Sequence, residues 1–357
     1  MADLPPETFA PDRCPGVLRP HLAADGALVR LRAPGGRVPD GGVYRLSVAA
    51  RQFADGDLHL TSRGNVQIRG ISVDESGAVP EGLVQAVSGA GFLPSASHER
   101  VRNIVASPLS GRFGGLADIG PLIGALDEAL CREPALTDLP GRFLFGLDDG
   151  RGDVAALRCD LAAVAVDARS ARLTIGDLSG PTLPLADVVD VMIATALRFV
   201  EVRATRWHVR QLPGAGREIG GVSTVPPAPP AVMPYGVLGT AVSVLVPLGI
   251  LTPPMVAALP ARGVIVTPWR GLVLPGDSDP AALAAAGFVL DDDSPWRRVT
   301  ACTGAPGCNL ARGNTRVFAR RVAASPLPDR AVHVVGCERS CGAPHSPHSL
   351  VFACSPP

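Results

Sequence analysis

The chain has 357 residues, is 46% apolar and carries no formal net charge. It is long enough for several packed units, too apolar for a disordered chain, and lacks the bulk charge that draws a protein to nucleic acid or a membrane surface. All 33 basic residues are arginine, which excludes lysine chemistry, Schiff bases included.

The start, MADLPPETFAPDRCPG, has acids and prolines where a secretory signal needs an apolar core, so the expected location is cytoplasmic. Residues 43–70, VYRLSVAARQFADGDLHLTSRGNVQIRG, predict a helix, a strand near 57–61, a tight turn, and a second strand through Val66, Ile68 and Ile71. Residues 142–176 alternate apolar and polar positions around the turn-forming DDG and DARSAR, which predicts a small antiparallel meander. Residues 185–203 keep helical periodicity without a breaker, and 213–234, rich in Gly and Pro, read as a linker. The most apolar run, GVLGTAVSVLVPLGILTPPMVAAL, is interrupted by Pro247, Pro253 and Pro254. Its unbroken part is about half of the roughly 20 residues a membrane span needs, so it reads as a core helix plus connector.

From this run onward the chain repeats an earlier order. A helical stretch leads to the strand GVIVT, the turn PWRG and the strand LVLPG. LHLTSRG and VIVTPWRG align at a separation of about 205 residues, the mark of a duplicated half rather than a short repeat. Near the C-terminus, LARGNTRVFARRVAA predicts a helix, and AVHVVG a strand that delivers Cys337 to a turn. The expected fold class is α+β, with antiparallel and mixed sheets, helices, and an internal duplication about a pseudo-two-fold axis.

Four of the eight cysteines form a pattern: Cys302 and Cys308 in ACTGAPGCNL, then Cys337 and Cys341 in GCERSC. A reducing compartment disfavours disulfides. Structural zinc prefers pairs with two to four residues between them, whereas the first pair has five. The corner irons of a cubane cluster suit wider and unequal gaps. A [4Fe–4S] cluster is therefore favoured, with a structural zinc site in a non-catalytic protein and free thiols as the other readings. Cys14, Cys131, Cys159 and Cys354 lie outside any such spacing and read as small core residues.

C-x5-C followed by G-C-x3-C, after a half containing TSRGNVQIRG, resembles the sulfite and nitrite reductase superfamily. RNIVASPLSG and LPGRFLFGLDDG extend the resemblance, which runs from about residue 12 to 355. It implies a first ferredoxin-like half domain at 12–95, a central α/β domain at 96–212, the linker at 213–234, a second half domain at 235–298 and a cluster-binding domain at 299–357. The opening CPGVLRPHLAADGALVRLRAPGGRV and the form of TSRGNVQIRG look closer to the precorrin-3B synthase branch of aerobic cobalamin biosynthesis. That branch implies O2-dependent hydroxylation of precorrin-3A at C20 with lactone formation, a [4Fe–4S] cluster and a mononuclear non-haem iron. The alternative is a sirohaem-dependent sulfite or nitrite reductase. The reductases carry a lysine pair where this chain has Arg142 and Leu144, which counts against six-electron reduction.

The resemblance places family anion-binding arginines at Arg63 and Arg102, which become the candidate catalytic residues. Precorrin-3A bears many carboxylates, and arginine forks hold carboxylates bidentately, so Asn65, Gln67, Arg69, Asn103 and Arg142 are candidate substrate-binding residues. An iron that activates O2 commonly uses two His and a carboxylate, and His345 and His348 in APHSPHS are the candidates. No GxGxxG or Walker loop occurs. Electrons are therefore expected from outside, from NADH through a separate reductase or from a ferredoxin. No nucleic-acid or membrane partner is expected.

Overall fold

The computed structural model describes residues 12–226, 232–344 and 346–353. They divide into two units: the described parts of Pro15–Pro94 and Val232–Pro357 form one, and those of Met1–Cys14 and Ser95–Ala231 the other.

The first unit holds the duplication. One sheet runs His21–Ala23, Gly26–Leu31, Val66–Ile71, Leu58–Leu60 and Ile250–Leu251, with every pair antiparallel. The other runs Gly236–Leu238, Ala241–Leu245, Gly271–Pro275 and Ile265–Val266, also antiparallel. Each begins with a hairpin, then takes the strand after its turn, then the strand before it. The halves exchange edges: Ile250–Leu251 from the second extends the first sheet, and Arg37 from the first bridges to Ile265. Leu31, Leu58 and Ile68 share one apolar cluster with Val244, Leu272 and Leu274. At roughly 1.5–3 kcal/mol for each fully buried side chain, this shared core ties the halves together.

The helix Gly42–Phe53 and the strands Leu58–Leu60 and Val66–Ile71 match the reading of 43–70. The apolar run beginning at Gly236 does not form the expected helix. Ala241–Leu245 is a buried strand paired on both sides. A short apolar run has no periodicity to tell strand from buried helix, and here the two neighbouring strands decide. A third, parallel sheet follows, of Val299–Ala301, Ala331–Val335 and His348–Phe352. The expected helix beside it is Thr315–Ala323, where the Asn314 side chain caps the N-terminus by accepting from Val317 N–H.

In the other unit the strands Ile104–Ala106, Phe145–Asp148 and Leu161–Ala165 pair parallel, and Ser170–Ile175 and Leu178–Pro184 continue antiparallel. The expected meander is thus confined to its second half. A parallel pair needs a crossover, and Gly120–Arg132 supplies one. That helix and Val188–Val202 contribute to a core with the Phe143, Phe145 and Phe199 rings in contact. The expected linker is partly built into this unit: Ile219 is buried, and Thr224 bridges to Leu178. Among the described residues no helix is long and apolar enough to cross a membrane.

Candidate functional site

Cys302 and Cys337 stand just past the ends of the parallel strands Val299–Ala301 and Ala331–Val335, and Cys308 and Cys341 lie in the loops beyond them. Cys302 leaves Val299–Ala301 with its N–H donating to the Val334 carbonyl at 2.9 Å, and its sulfur accepts from Gly336 N–H at 3.3 Å. Gly304 sits at φ 69°, and a Cβ there would collide with the Thr315 hydroxyl that donates to the Cys302 carbonyl at 2.7 Å. Only glycine fits that bend without strain.

Cys337 and Cys341 follow Ala331–Val335 in a turn in which Ser340 N–H donates to the Cys337 carbonyl. Burial pushes the Cys341 thiol up, and Cys337, Cys302 and Cys308 push it the same way, so the four sulfurs share one neighbourhood. They are not closely drawn together. Among the described residues, the group of ligand atoms lying within 4.8 Å of one another is Asp148, Asp149 and Asp153, not the cysteines. Four thiolates can hold a single zinc ion or a [4Fe–4S] cluster, the latter with wider sulfur separations.

A cavity of about 110 Å³ opens beside Cys302, with His59, Gln67, Arg69, Arg270 and Arg316 among its lining residues. Arg69 is buried and acts as a strut. Its Nε and Nη2 donate to the Asp25 carboxylate at 3.2 and 3.0 Å, and Nη2 also reaches the Gly307 carbonyl at 3.1 Å, next to Cys308. The first sheet thereby holds the cysteine loop. His59 pairs with Asp55 at 2.9 Å and meets Arg316 at 3.5 Å. Burial lowers the pKa of both Arg316 and Arg270, and it raises that of Asp57, with Asp55 adding to the rise.

Of the residues read from TSRGNVQIRG, Gln67 and Arg69 line the cavity, and Gln67 accepts from Arg30 at 3.5 Å. Asn65 is buried. Its Oδ1 accepts from Ala33 N–H at 2.9 Å, and its Nδ2 has no hydrogen-bond partner. Arg63, half-buried in the turn, is not among the cavity-lining residues.

Arg102, Asn103 and Arg142 belong to the other unit. There Arg102 is held bidentately by Asp127 at 2.7 and 2.6 Å, and Asn103 donates to the Gly141 carbonyl at 2.6 Å. Arg142 is exposed and lies 5.1 Å from the centre of the Trp207 ring. His345 lies outside the described residues. His348 donates from Nδ1 to the Ser346 carbonyl at 2.8 Å and packs edge-on to His333 at 6.0 Å. Among the described residues no His–carboxylate trio gathers around it within 4.8 Å.

Three cavity residues, His59, Arg270 and Arg316, escaped the sequence reading. For Arg270 a signal existed, since it stands in the repeated turn; for His59 and Arg316 only the fold brings them to Cys302.

Residues 21–86 match the nitrite/sulfite reductase ferredoxin-like half domain, a class that agrees with the duplicated sheets. The structure of the Mycobacterium tuberculosis NirA protein has the same fold, with a TM-score of 0.69 over 88% of this chain and 68% of that one, at 21% identity. The fold is therefore of the sulfite/nitrite reductase type. Within that class, the relative that bears out the branch read from the sequence is a precorrin-3B synthase from Sinorhizobium sp., 28% identical over 96% of this chain and 80% of the relative.

Proposed function

We propose that this chain converts precorrin-3A to precorrin-3B by O2-dependent hydroxylation and lactone formation. The observation that carries the reading is the arginine-lined cavity beside Cys302, which offers carboxylate-binding side chains next to a cysteine that would ligate the cluster. The likeness to the Sinorhizobium enzyme over nearly the whole chain points the same way.

Cys302, Cys308, Cys337 and Cys341 would hold the [4Fe–4S] cluster, which supplies one-electron transfer when bound. Arg69 keeps the Gly307 segment in place by joining it to Asp25, and so positions Cys308. Gly336 N–H donates to the Cys302 sulfur and so stabilises thiolate charge there. Gln67 and Arg63 are assigned to the polar edge of the substrate, and Asn65 to the same turn, with its spare Nδ2 donor. A mononuclear non-haem iron for O2 activation is part of the proposal, with His345 and His348 as its ligands. Reducing equivalents come from a separate reductase or a ferredoxin, and the location is cytoplasmic.

The test is the reconstituted protein with precorrin-3A, O2 and a reductant, with the product read by mass. Formation of the hydroxylactone supports the assignment. An intact cluster that yields none rejects it; sharp porphyrin-like bands in the purified protein would turn the reading to a sirohaem reductase, and stoichiometric zinc in a colourless protein to a structural site.

A further inference from the structure

The two halves close their strand pairs with the same turn. In the first, Thr61 N–H donates to the Asn65 carbonyl, Gly64 N–H to the Thr61 carbonyl, and Asn65 N–H to Thr61 Oγ1. In the second, Thr267 N–H donates to the Gly271 carbonyl, Arg270 N–H to the Thr267 carbonyl, and Gly271 N–H to Thr267 Oγ1. The hydrogen bonds equate Arg270 with Gly64. Both residues are left-handed, at φ 58° and 65°. Glycine adopts that conformation freely, whereas an arginine there is strained. Such strain persists where the side chain has a use.

The Arg270 side chain passes Gly249, where an added Cβ would come within 3.1 Å of its Cδ, and Nη2 reaches the Gly342 carbonyl at 3.4 Å. Nη1 is buried with no hydrogen-bond partner. Arg69 has Asp25, and Arg316 lies in the field of Asp55 and Asp57; among the described residues no carboxylate pairs with Arg270. A buried guanidinium lacking a counter-charge and one hydrogen bond is unfavourable until an anion arrives.

We propose that Arg270, with Arg316 lining the same cavity, is a carboxylate-binding site. This rests on the proposed function in one respect: the carboxylate is taken to belong to the tetrapyrrole.

The test uses the full chain with its cluster reconstituted, as wild type, Arg270→Gly and Arg316→Gln. Glycine suits the left-handed backbone, so Arg270→Gly is expected to melt at or above the wild-type temperature. If it melts lower, Arg316→Gln carries the same comparison. Citrate probes a small carboxylate by thermal shift, and uroporphyrin probes a polycarboxylate tetrapyrrole by fluorescence titration. The expected result is a citrate shift in wild type that is lost in both variants, and uroporphyrin binding weakened about tenfold or more, the scale of one charged hydrogen-bonding contact.

Equal responses of wild type and variants to both probes overturn the site and leave the tetrapyrrole reading standing. A citrate response lost in Arg270→Gly, with no uroporphyrin binding by wild type, keeps the carboxylate site and rejects the tetrapyrrole. No wild-type response to either probe overturns the proposal. So does loss of the cluster's visible absorption in a stably folded Arg270→Gly, which would assign Arg270 to the charge of the cluster.

Discussion

The turn at 61–65 and the turn at 267–271 share three hydrogen bonds and their left-handed position, yet they differ in what that position carries. In the first, Gly64 satisfies the backbone and Arg63 stands beside it. In the second, Arg270 accepts the strain and places its guanidinium in the cavity by Cys302, with Trp269 in the place of Arg63. A duplicated scaffold makes this tolerable: the shared core of the two halves holds the second turn closed whatever sits at its apex. Side-chain function can then diverge between copies while the backbone does not.

The largest effect expected is on the end of the chain that both halves support. Cys302→Ser or Cys341→Ser should abolish the proposed cluster and most soluble yield, because metal binding at such a site would be coupled to folding; a variant with wild-type colour and yield would remove these residues from the proposed centre. Arg69→Ala leaves Asp25 partly buried without its partner and frees the Gly307 carbonyl. A loss of about 3 kcal/mol is expected in denaturant unfolding, with faster loss of cluster absorption. Retention of both would show that the first sheet does not hold the cysteine loop.

Gly64→Ala tests the comparison from the other side. At φ 65°, with the Val266 carbonyl 3.1 Å from the added Cβ, it should cost about 1–2 kcal/mol, opposite in sign to Arg270→Gly. Changes of the same sign at the two positions would deny their equivalence. Thr61→Val and Thr267→Val each remove one hydroxyl acceptor, at 3.1 Å in both turns, and should cost about 1 kcal/mol apiece. Unequal losses would show that the turns are supported differently. The smallest effect on stability belongs to Arg63→Ala, within about 0.5 kcal/mol, while substrate affinity falls; unchanged turnover would take Arg63 out of the site.

Much of the fold was legible. Amphipathic spacing marked the helices Gly42–Phe53 and Val188–Val202, and the echo of LHLTSRG in VIVTPWRG marked the duplication. The strand Ala241–Leu245 was not legible, because five successive buried residues carry no periodicity. The echo aligned the two turns as segments; the backbone hydrogen bonds show that Arg270 takes the place of Gly64. Arg69 read as a substrate ligand, and its bonds to Asp25 and Gly307 disclose a strut as well, since neither partner is near it in sequence.

By itself the sequence determined the cysteine quartet, whose unequal spacing sets what it can grip, and the repeated strand–turn–strand unit, whose local preferences recur wherever the pattern does. Tertiary structure alone decided which arginines meet those cysteines. Arg69, Arg270 and Arg316 come from three distant segments, and a cavity charge is a property of what packing brings within a few ångströms, which no local preference encodes.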